Sequence, residues 1–406
     1  MPPAEELSLS IHVRYSSIRR TRVMVAAWAA TAILGHCLGS ASDDIHAASL
    51  VGDTACAACH QEKVHSFQQT AHSKTSSLPT SETIHGMFGA DANVLRTVNP
   101  NLYFAMEANE KGFFQTAHQK TSETEELTRS ERIDIVVGSG RKGQTYLFWD
   151  GQQLYQLPVS YWTGIDGWVN SPGYIDGTAD FERAIVPRCL ECHSSSFENQ
   201  APPENRYDTA SLVLGVSCEK CHGPGSEHVA RFRRNPVPTL PADFAIVNPA
   251  RLSRPRQLDV CALCHEGAGT SLRAPLSYLP GDDLRDYISF AKLPANARVD
   301  VHASQVQLLE RSRCFMKTTT LTCITCHDVH TPQRDTAAFA GKCLACHKVE
   351  NCGEFPKQGH SIDARCIDCH MPLQETGKIV SRVDGSTVRP KVRNHHIAVY
   401  ATATAP

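Results

Sequence analysis

The sequence predicts a mainly α fold with much irregular structure, interrupted in its N-terminal half by a small antiparallel β module. Three observations lead there. The pentapeptide Cys-x-x-Cys-His occurs seven times in 406 residues, and three copies crowd into the 48 residues from Cys323 to His370. Residues 90–185 carry no cysteine and read as short strands. From Cys189 onward, Gly and Pro interrupt the chain so often that only short helices and loops fit between the motifs.

The motif cysteines are Cys56 and Cys59, Cys189 and Cys192, Cys218 and Cys221, Cys261 and Cys264, Cys323 and Cys326, Cys343 and Cys346, and Cys366 and Cys369. They use 14 of the 17 cysteines. Composition alone would produce roughly 0.03 copies of such a pattern. Cys-x-x-Cys-His is the attachment signature of c-type haem. Two thiols at this spacing add to the two vinyl groups of one porphyrin, and the histidine that follows is held against the iron as proximal ligand. That role falls to His60, His193, His222, His265, His327, His347 and His370. Seven covalent haem c groups would then form the core, with the polypeptide wrapped around them. A zinc reading is weaker, because structural zinc takes four ligands from paired motifs and seven sites do not pair evenly.

The first 41 residues have the layout of a cleaved secretory signal. Arg14, Arg19, Arg20 and Arg22 precede an apolar run from Val23 to Leu34, and small residues lead to Ala41 before Asp43-Asp44. The run is shorter than the ~20 residues a membrane span needs. The expectation is a periplasmic or otherwise exported protein with no span in the mature chain. Formal net charge is −2. Cleavage after Ala41 leaves 36 basic against 40 acidic residues. Seven ferric haems would take the holoprotein to about −11, which argues against nucleic acid as a partner.

The domain plan is residues 1–41 as signal, 42–89 as a first haem segment, 90–185 as the β-rich module, 186–397 as a multihaem domain, and 398–406 as a tail. In the first segment Gln61 to Lys74 reads as a helix. His72 lies 12 residues beyond His60, roughly 18 Å along a helix, so it would serve a neighbouring iron. In the β module, strands are expected at 102–106, 112–114, 133–137, 145–149 and 153–157, with Asp150-Gly151 as a hairpin turn. Gly138-Ser-Gly-Arg-Lys-Gly143 fits Gly-x-Gly-x-x-Gly, but strand-like residues follow it where a dinucleotide site needs a helix. It therefore reads as a hairpin loop. Ala201-Pro202-Pro203 and Pro236 to Pro241 read as linkers. Gly223-Pro224-Gly225 would end the helix of the third motif and free His228 to point away from its own haem. Val299 to Phe315 reads as one helix with His302 near its start. Cys314 and Cys352 stand outside the motifs, as a disulfide or as two buried thiols.

Eleven histidines remain for the sixth iron position, enough to make every haem bis-histidine. The candidates are His228 and His330, then His360, His302 and one of His395 and His396, then His72, with His118 in the β module last. His330 is three residues past His327. It cannot reach round the porphyrin to the far side of that iron, so it should meet a different one.

These residues resemble a family. Cys56-Ala-Ala-Cys-His60 with Phe67 and Thr70-Ala71-His72 looks like the opening motif of the cytochrome c-554-like multihaem proteins, and Cys218-Glu-Lys-Cys-His-Gly-Pro-Gly with His228 is similar to their next hallmark. Val247-Asn-Pro-Ala-Arg-Leu252, Cys323-Ile-Thr-Cys-His-Asp-Val-His330, Cys366-Ile-Asp-Cys-His-Met-Pro372, and Gly138-Ser-Gly-Arg with Gln156-Leu-Pro-Val159 look like relatives that often carry tetratricopeptide repeats. No such repeat is present in this chain. The resemblance implies periplasmic electron transfer, within a superfamily that includes haem enzymes acting on nitrite and hydroxylamine. The leading expectation is an electron carrier that works with redox partner proteins, either other cytochromes or quinol-linked membrane complexes. The alternative is a multihaem oxidoreductase acting on a small nitrogen or sulfur compound at one open haem.

Overall fold

In the computed structural model, residues 48–89, 92–202, 204–234, 244–294, 299, 304–377, 379–383 and 385–400 are described. The proposed signal (1–41), the linker 236–241 and His302 lie outside them. The protein is only 29 % helical, with 25 % strand. The expectation of a mainly α fold is therefore corrected. Each pentapeptide demands little more than one helical turn, so the motifs do not grow into long helices. The chain between them pairs into antiparallel hairpins instead.

The first helix, α1 (Asp53–Gln68), contains the first motif and kinks at His60, whose φ and ψ of −116° and 38° are not helical. It starts and stops earlier than expected and leaves His72 in a turn. There follow β1 (Ser76–Ser77), β2 (Val94–Arg96), β3 (Leu102–Asn109), β4 (Gly112–Lys120), β5 (Glu126–Arg132), β6 (Ile135–Val137), β7 (Gly143–Asp150), β8 (Gln153–Gln156), β9 (Val159–Trp162) and β10 (Gly167–Asn170). They form two antiparallel sheets. One has the order β2-β3-β4-β5, and the other runs β1-β6-β7-β9-β10 with β8 on β7. Asp150 pairs with Gln153 across the expected turn, where Gly151 has φ +58°. The glycine-rich segment joins β6 to β7 as a hairpin loop, with Gly138 and Gly140 at φ +108° and +75°.

The two sheets share one apolar core, in which Leu102, Phe104 and Met106 of β3 meet Val136 of β6, Tyr146 and Phe148 of β7 and Trp168 of β10. Gln115 is fully buried and crosses between the sheets. It donates to the Val159 carbonyl at 2.8 Å and accepts from the Val159 amide at 3.1 Å, so its amide is satisfied. Ile84 joins the same core and β1 pairs with β6, so the chain before residue 90 is part of the sheet structure.

The opposite face of the second sheet, through Ile135, Leu147 and Leu154, packs on Leu190 of α2 (Pro187–His193) and on Phe197 and Tyr207. These aromatics belong to a hairpin, β11 (Ser194–Asn199) and β12 (Tyr207–Leu214). Sequence patterning missed it because β11 is nearly all polar. Ala201-Pro202, read as part of a linker, lies in the loop between its strands.

Beyond it come α3 (Glu219–His222), α4 (Ser226–Arg234), α5 (Arg254–His265), α6 (Gln305–Glu310), α7 (Arg313–Lys317), α8 (Cys323–Cys326), α9 (Thr336–Leu344), α10 (Phe355–Gln358) and α11 (Cys366–His370). Small hairpins pair β13 (Thr270–Ser271) with β14 (Ile288–Ser289), β15 (Leu373–Glu375) with β18 (Lys391–Arg393), and β16 (Ser381–Val383) with β17 (Ser386–Val388). The single helix expected at 299–315 is replaced by α6 and α7. Ser304 before α6 is left-handed at φ +73°, and Ser312 before α7 is extended. Cys314 and Cys352 are free thiols.

Candidate metal centres

The local backbone of each motif exposes its histidine on the turn that carries the two thiols. In the third motif α3 ends at Gly223, with φ +76°. The chain reverses through Pro224-Gly225, and α4 carries His228 away. The His228 ring then stands opposite His60, with centroids 6.4 Å apart and planes 16° from parallel. The motif's own His222 faces His330 at 6.1 Å and 26°. His327 faces His395 at 6.2 Å and 25°. His265 faces His72 at 6.0 Å with the rings nearly perpendicular, at 82°.

This spacing has a chemical meaning. A metal-bound imidazole nitrogen sits about 2.0 Å from its metal and about 1.1 Å from its own ring centroid, so two rings on opposite sides of one ion have centroids about 6.2 Å apart. All four pairs fit an iron between them. Each joins a motif histidine to a histidine from a different segment of the chain.

The outward nitrogens are engaged. His222 Nδ1 is 2.8 Å from the Val247 carbonyl, His228 Nδ1 is 2.6 Å from the Phe244 carbonyl, and His395 Nδ1 is 3.2 Å from the Arg393 carbonyl. As donors these hold each ring so that Nε2 points inward, the usual way a protein fixes the tautomer of a ligating histidine. Burial lowers His72, and it lowers His222 despite the Val247 contact. Burial, with His327 beside it, brings His395 down to about 4. Burial thus favours the neutral, metal-binding form of His72, His222 and His395.

The thiols interlock as well. Cys56 lies within hydrogen-bonding reach of Cys218, Cys192 of Cys264, and Cys261 of Cys323. Burial raises the Cys343 thiol to about 11, with Cys366 and Cys326 adding to the effect. The first motif therefore adjoins the third, the second and fifth adjoin the fourth, and the sixth lies by the fifth and seventh. Arg188 of α2 reinforces the second of these contacts by donating to the carbonyls of Leu263 and, at 2.6 Å, Ala268.

The other candidates are placed differently. His118 stacks on Tyr103 at 4.5 Å and its Nδ1 lies 2.7 Å from Glu126, within the β2–β5 sheet. His360 is exposed, with Nδ1 3.1 Å from Asp363 and its ring against Phe355. His396 packs on Tyr400. Among the described residues no histidine ring stands at stacking distance from His347 or His370. His370 Nδ1 is 2.9 Å from the Ala398 carbonyl. Also among the described residues, no helix is long and apolar enough to cross a membrane.

An architecture of paired histidines and interlocked Cys-x-x-Cys-His turns defines a multihaem c-type cytochrome. The fold is similar to that of the outer cell wall cytochrome OcwA, at 17 % identity and a TM-score of 0.50, over 86 % of this chain and 79 % of that one. The undecaheme cytochrome from the S-layer of Carboxydothermus ferrireducens matches at 16 % identity and a TM-score of 0.40, over 87 % of this chain and 52 % of that one. No curated protein matches the chain. Residues 55–97 and 172–223 match the family model described as cytochrome c554 and c-prime. Over those two stretches the chain is similar to that family.

Proposed function

We propose that the protein is an exported electron carrier holding seven covalent haems, one on each Cys-x-x-Cys-His motif. The four inter-segment histidine pairs carry this reading. Each has the spacing of a bis-histidine iron, a ligation that leaves no position open for substrate and so suits electron transfer. His60 with His228, His222 with His330, His265 with His72 and His327 with His395 would hold four of the irons. When bound, haem supplies a one-electron ferric–ferrous couple, and the protein sets its potential through ligands, burial and hydrogen bonds. The interlocked thiols support close contact between successive haems, as a conducting chain requires. Redox partner proteins would be other cytochromes or quinol-linked membrane complexes. Export is supported by the signal-like first 41 residues and by the likeness in fold to an outer cell wall cytochrome.

The deciding measurement is the intact mass of the exported protein. It is expected to exceed the processed polypeptide by seven haem units. A mass equal to the bare chain ends the proposal.

A second expectation concerns ring orientation. Nearly parallel imidazole planes split the iron π orbitals and give a rhombic low-spin electron paramagnetic resonance signal. Perpendicular planes leave those orbitals nearly degenerate and give a highly anisotropic one. The 82° angle between His265 and His72 therefore predicts at least one highly anisotropic signal beside rhombic ones. Its loss in His72→Ala is the check. Persistence of every signal in that variant would remove His72 from the ligand set.

A further inference from the structure

Residues 393–398 reach two motif histidines at once. At the near end β18 pairs with β15, just after the seventh motif. Arg393 lies opposite Leu373 there, and the Asn394 amide donates to the Pro372 carbonyl at 3.1 Å. At the far end Ala398 meets His370 twice. Its amide donates to the His370 carbonyl at 3.2 Å, and its own carbonyl lies 2.9 Å from His370 Nδ1. Between these anchors His395 turns the other way and faces His327 of the fifth motif.

The side chains draw the same connection. The Arg393 guanidinium closes around the turn of the seventh motif. It donates to the Ile367 carbonyl at 2.9 Å, to the Met371 carbonyl at 3.2 Å and to Asp368 Oδ1 at 2.6 Å. The backbone carbonyl of the same residue lies 3.2 Å from His395 Nδ1. One residue thus grips the seventh motif and orients the ring that faces the fifth. Ser312, fully buried ahead of α7, holds the other side. Its hydroxyl accepts from the Ile397 amide at 2.8 Å and donates to the His395 carbonyl at 3.3 Å.

We infer that residues 393–398 are a strap that ties the ligation of the fifth-motif iron to the seventh motif, with Arg393 and Ser312 as its positioning residues. This rests on the ligation of that iron by His327 and His395 proposed above. A ligating imidazole has its direction fixed by a partner on its other nitrogen. Here that partner is a carbonyl whose place is set by the turn of another haem motif. The same strap supplies the carbonyl on His370 Nδ1. Ligands and their hydrogen bonds set haem potential, so a shift of the strap reaches two haems together. Asp368, at a variable position of the seventh motif, thereby acts on an iron that its own motif does not bind.

The test uses the full holoprotein, with ferric electron paramagnetic resonance as the readout and intact mass for haem content. His395→Ala is expected to make one haem high-spin, which marks the fifth-motif iron. Arg393→Gln and Ser312→Ala are expected to lose part of the low-spin intensity of that same haem, at unchanged haem content. A merely structural role would lower the denaturation midpoint and leave the spectrum alone. Adding either substitution to His395→Ala should give no further high-spin signal, because both act through His395. Asp368→Ala should act in the same way more weakly, since Arg393 keeps its two carbonyls. Asp368→Asn retains an oxygen for the guanidinium and should restore the low-spin spectrum. Glu375→Gln, at an exposed position on β15, should change nothing. If His395→Ala leaves every haem low-spin, the ligation reading falls and the strap falls with it. If that signal appears but Arg393→Gln or Ser312→Ala stays wholly low-spin, or if their high-spin signal adds to that of His395→Ala, the inference alone is wrong.

Discussion

His330→Ala is expected to leave the haem content unchanged while one haem turns from low to high spin. The His330 ring lies 6.1 Å from His222, not against the His327 ring three residues before it. Removing it takes away the ring facing His222 and leaves untouched Cys218 and Cys221, the thiols that would hold that haem. The reach comes from the turn after α8. The His330 amide donates to Asp328 Oδ1 at 3.0 Å, and His330 Nδ1 faces the same carboxylate at 3.6 Å. That leaves Nε2 directed toward His222. His228→Ala should likewise produce one high-spin haem, because its ring faces His60. The double variant should produce two, since the two rings face different motif histidines, His222 and His60. His330→Met should stay low-spin and raise one potential by a visible fraction of the roughly 0.8 V over which axial ligands tune haem. Ferric absorbance spectra, intact mass and a redox titration read all of this. A wholly low-spin His330→Ala protein would mean that His330 binds no iron and that the cross-segment pairing is misread.

The legible parts of the sequence were those set by local chemistry. The seven motifs, the Asp150-Gly151 hairpin, the glycine loop as a hairpin and the reversal at Gly223-Pro224-Gly225 each depend on a few adjacent residues. So do the strands at 102–109 and 143–150, where aromatic and β-branched residues cluster. The histidine partnerships depend on tertiary placement and were only partly legible. His228 stands out because Gly223-Pro224-Gly225 precedes it, and His330 because it lies three residues past His327, too close to reach round that porphyrin. His395 was one of an adjacent pair with nothing to choose between them. His72 is expected on a helix from Gln61 to Lys74, whereas α1 stops at Gln68 and the turn brings His72 to His265. His360, a candidate next after His228 and His330, is exposed beside Asp363. The mainly α expectation failed for one reason. The motif turns stay short, while the polar strands between them, β11 above all, carry no alternation to reveal them.

Glu219 was missed altogether, since it occupies a variable position of a Cys-x-x-Cys-His motif, and its replacement carries the largest expected loss of stability. Its side chain is 6 % exposed and accepts from three backbone amides, Val51 at 2.9 Å, Gly52 at 2.9 Å and Gly225 at 2.8 Å. Asp53 Oδ1 reciprocates by accepting from the Cys218 amide at 3.0 Å. Ser49 and Ser226 complete the seam, with the Ser49 amide on Ser226 Oγ at 2.8 Å and the Ser226 amide on the Ser49 carbonyl at 3.1 Å. This seam fixes the segment leading into the first motif against the turn that aims His228 at His60. Glu219→Ala strips three backbone N–H groups, one buried and two part-buried, of their shared acceptor, a loss of about 2–4 kcal/mol, since water can refill only part of the gap. In Glu219→Gln the amide oxygen can keep the Val51 and Gly225 contacts, but an NH2 group then faces the Gly52 amide, so the loss should be intermediate, about 1–3 kcal/mol. Because the seam holds the His60–His228 pair, Glu219→Ala should also raise the high-spin fraction at one haem before global unfolding. Denaturant titration followed in both the haem band and far-ultraviolet dichroism separates the two effects. Glu198→Ala, an exposed position on β11, should leave both unchanged. A Glu219→Ala protein with an unaltered midpoint and a fully low-spin spectrum would show that the first and third motifs are held together by something other than this carboxylate.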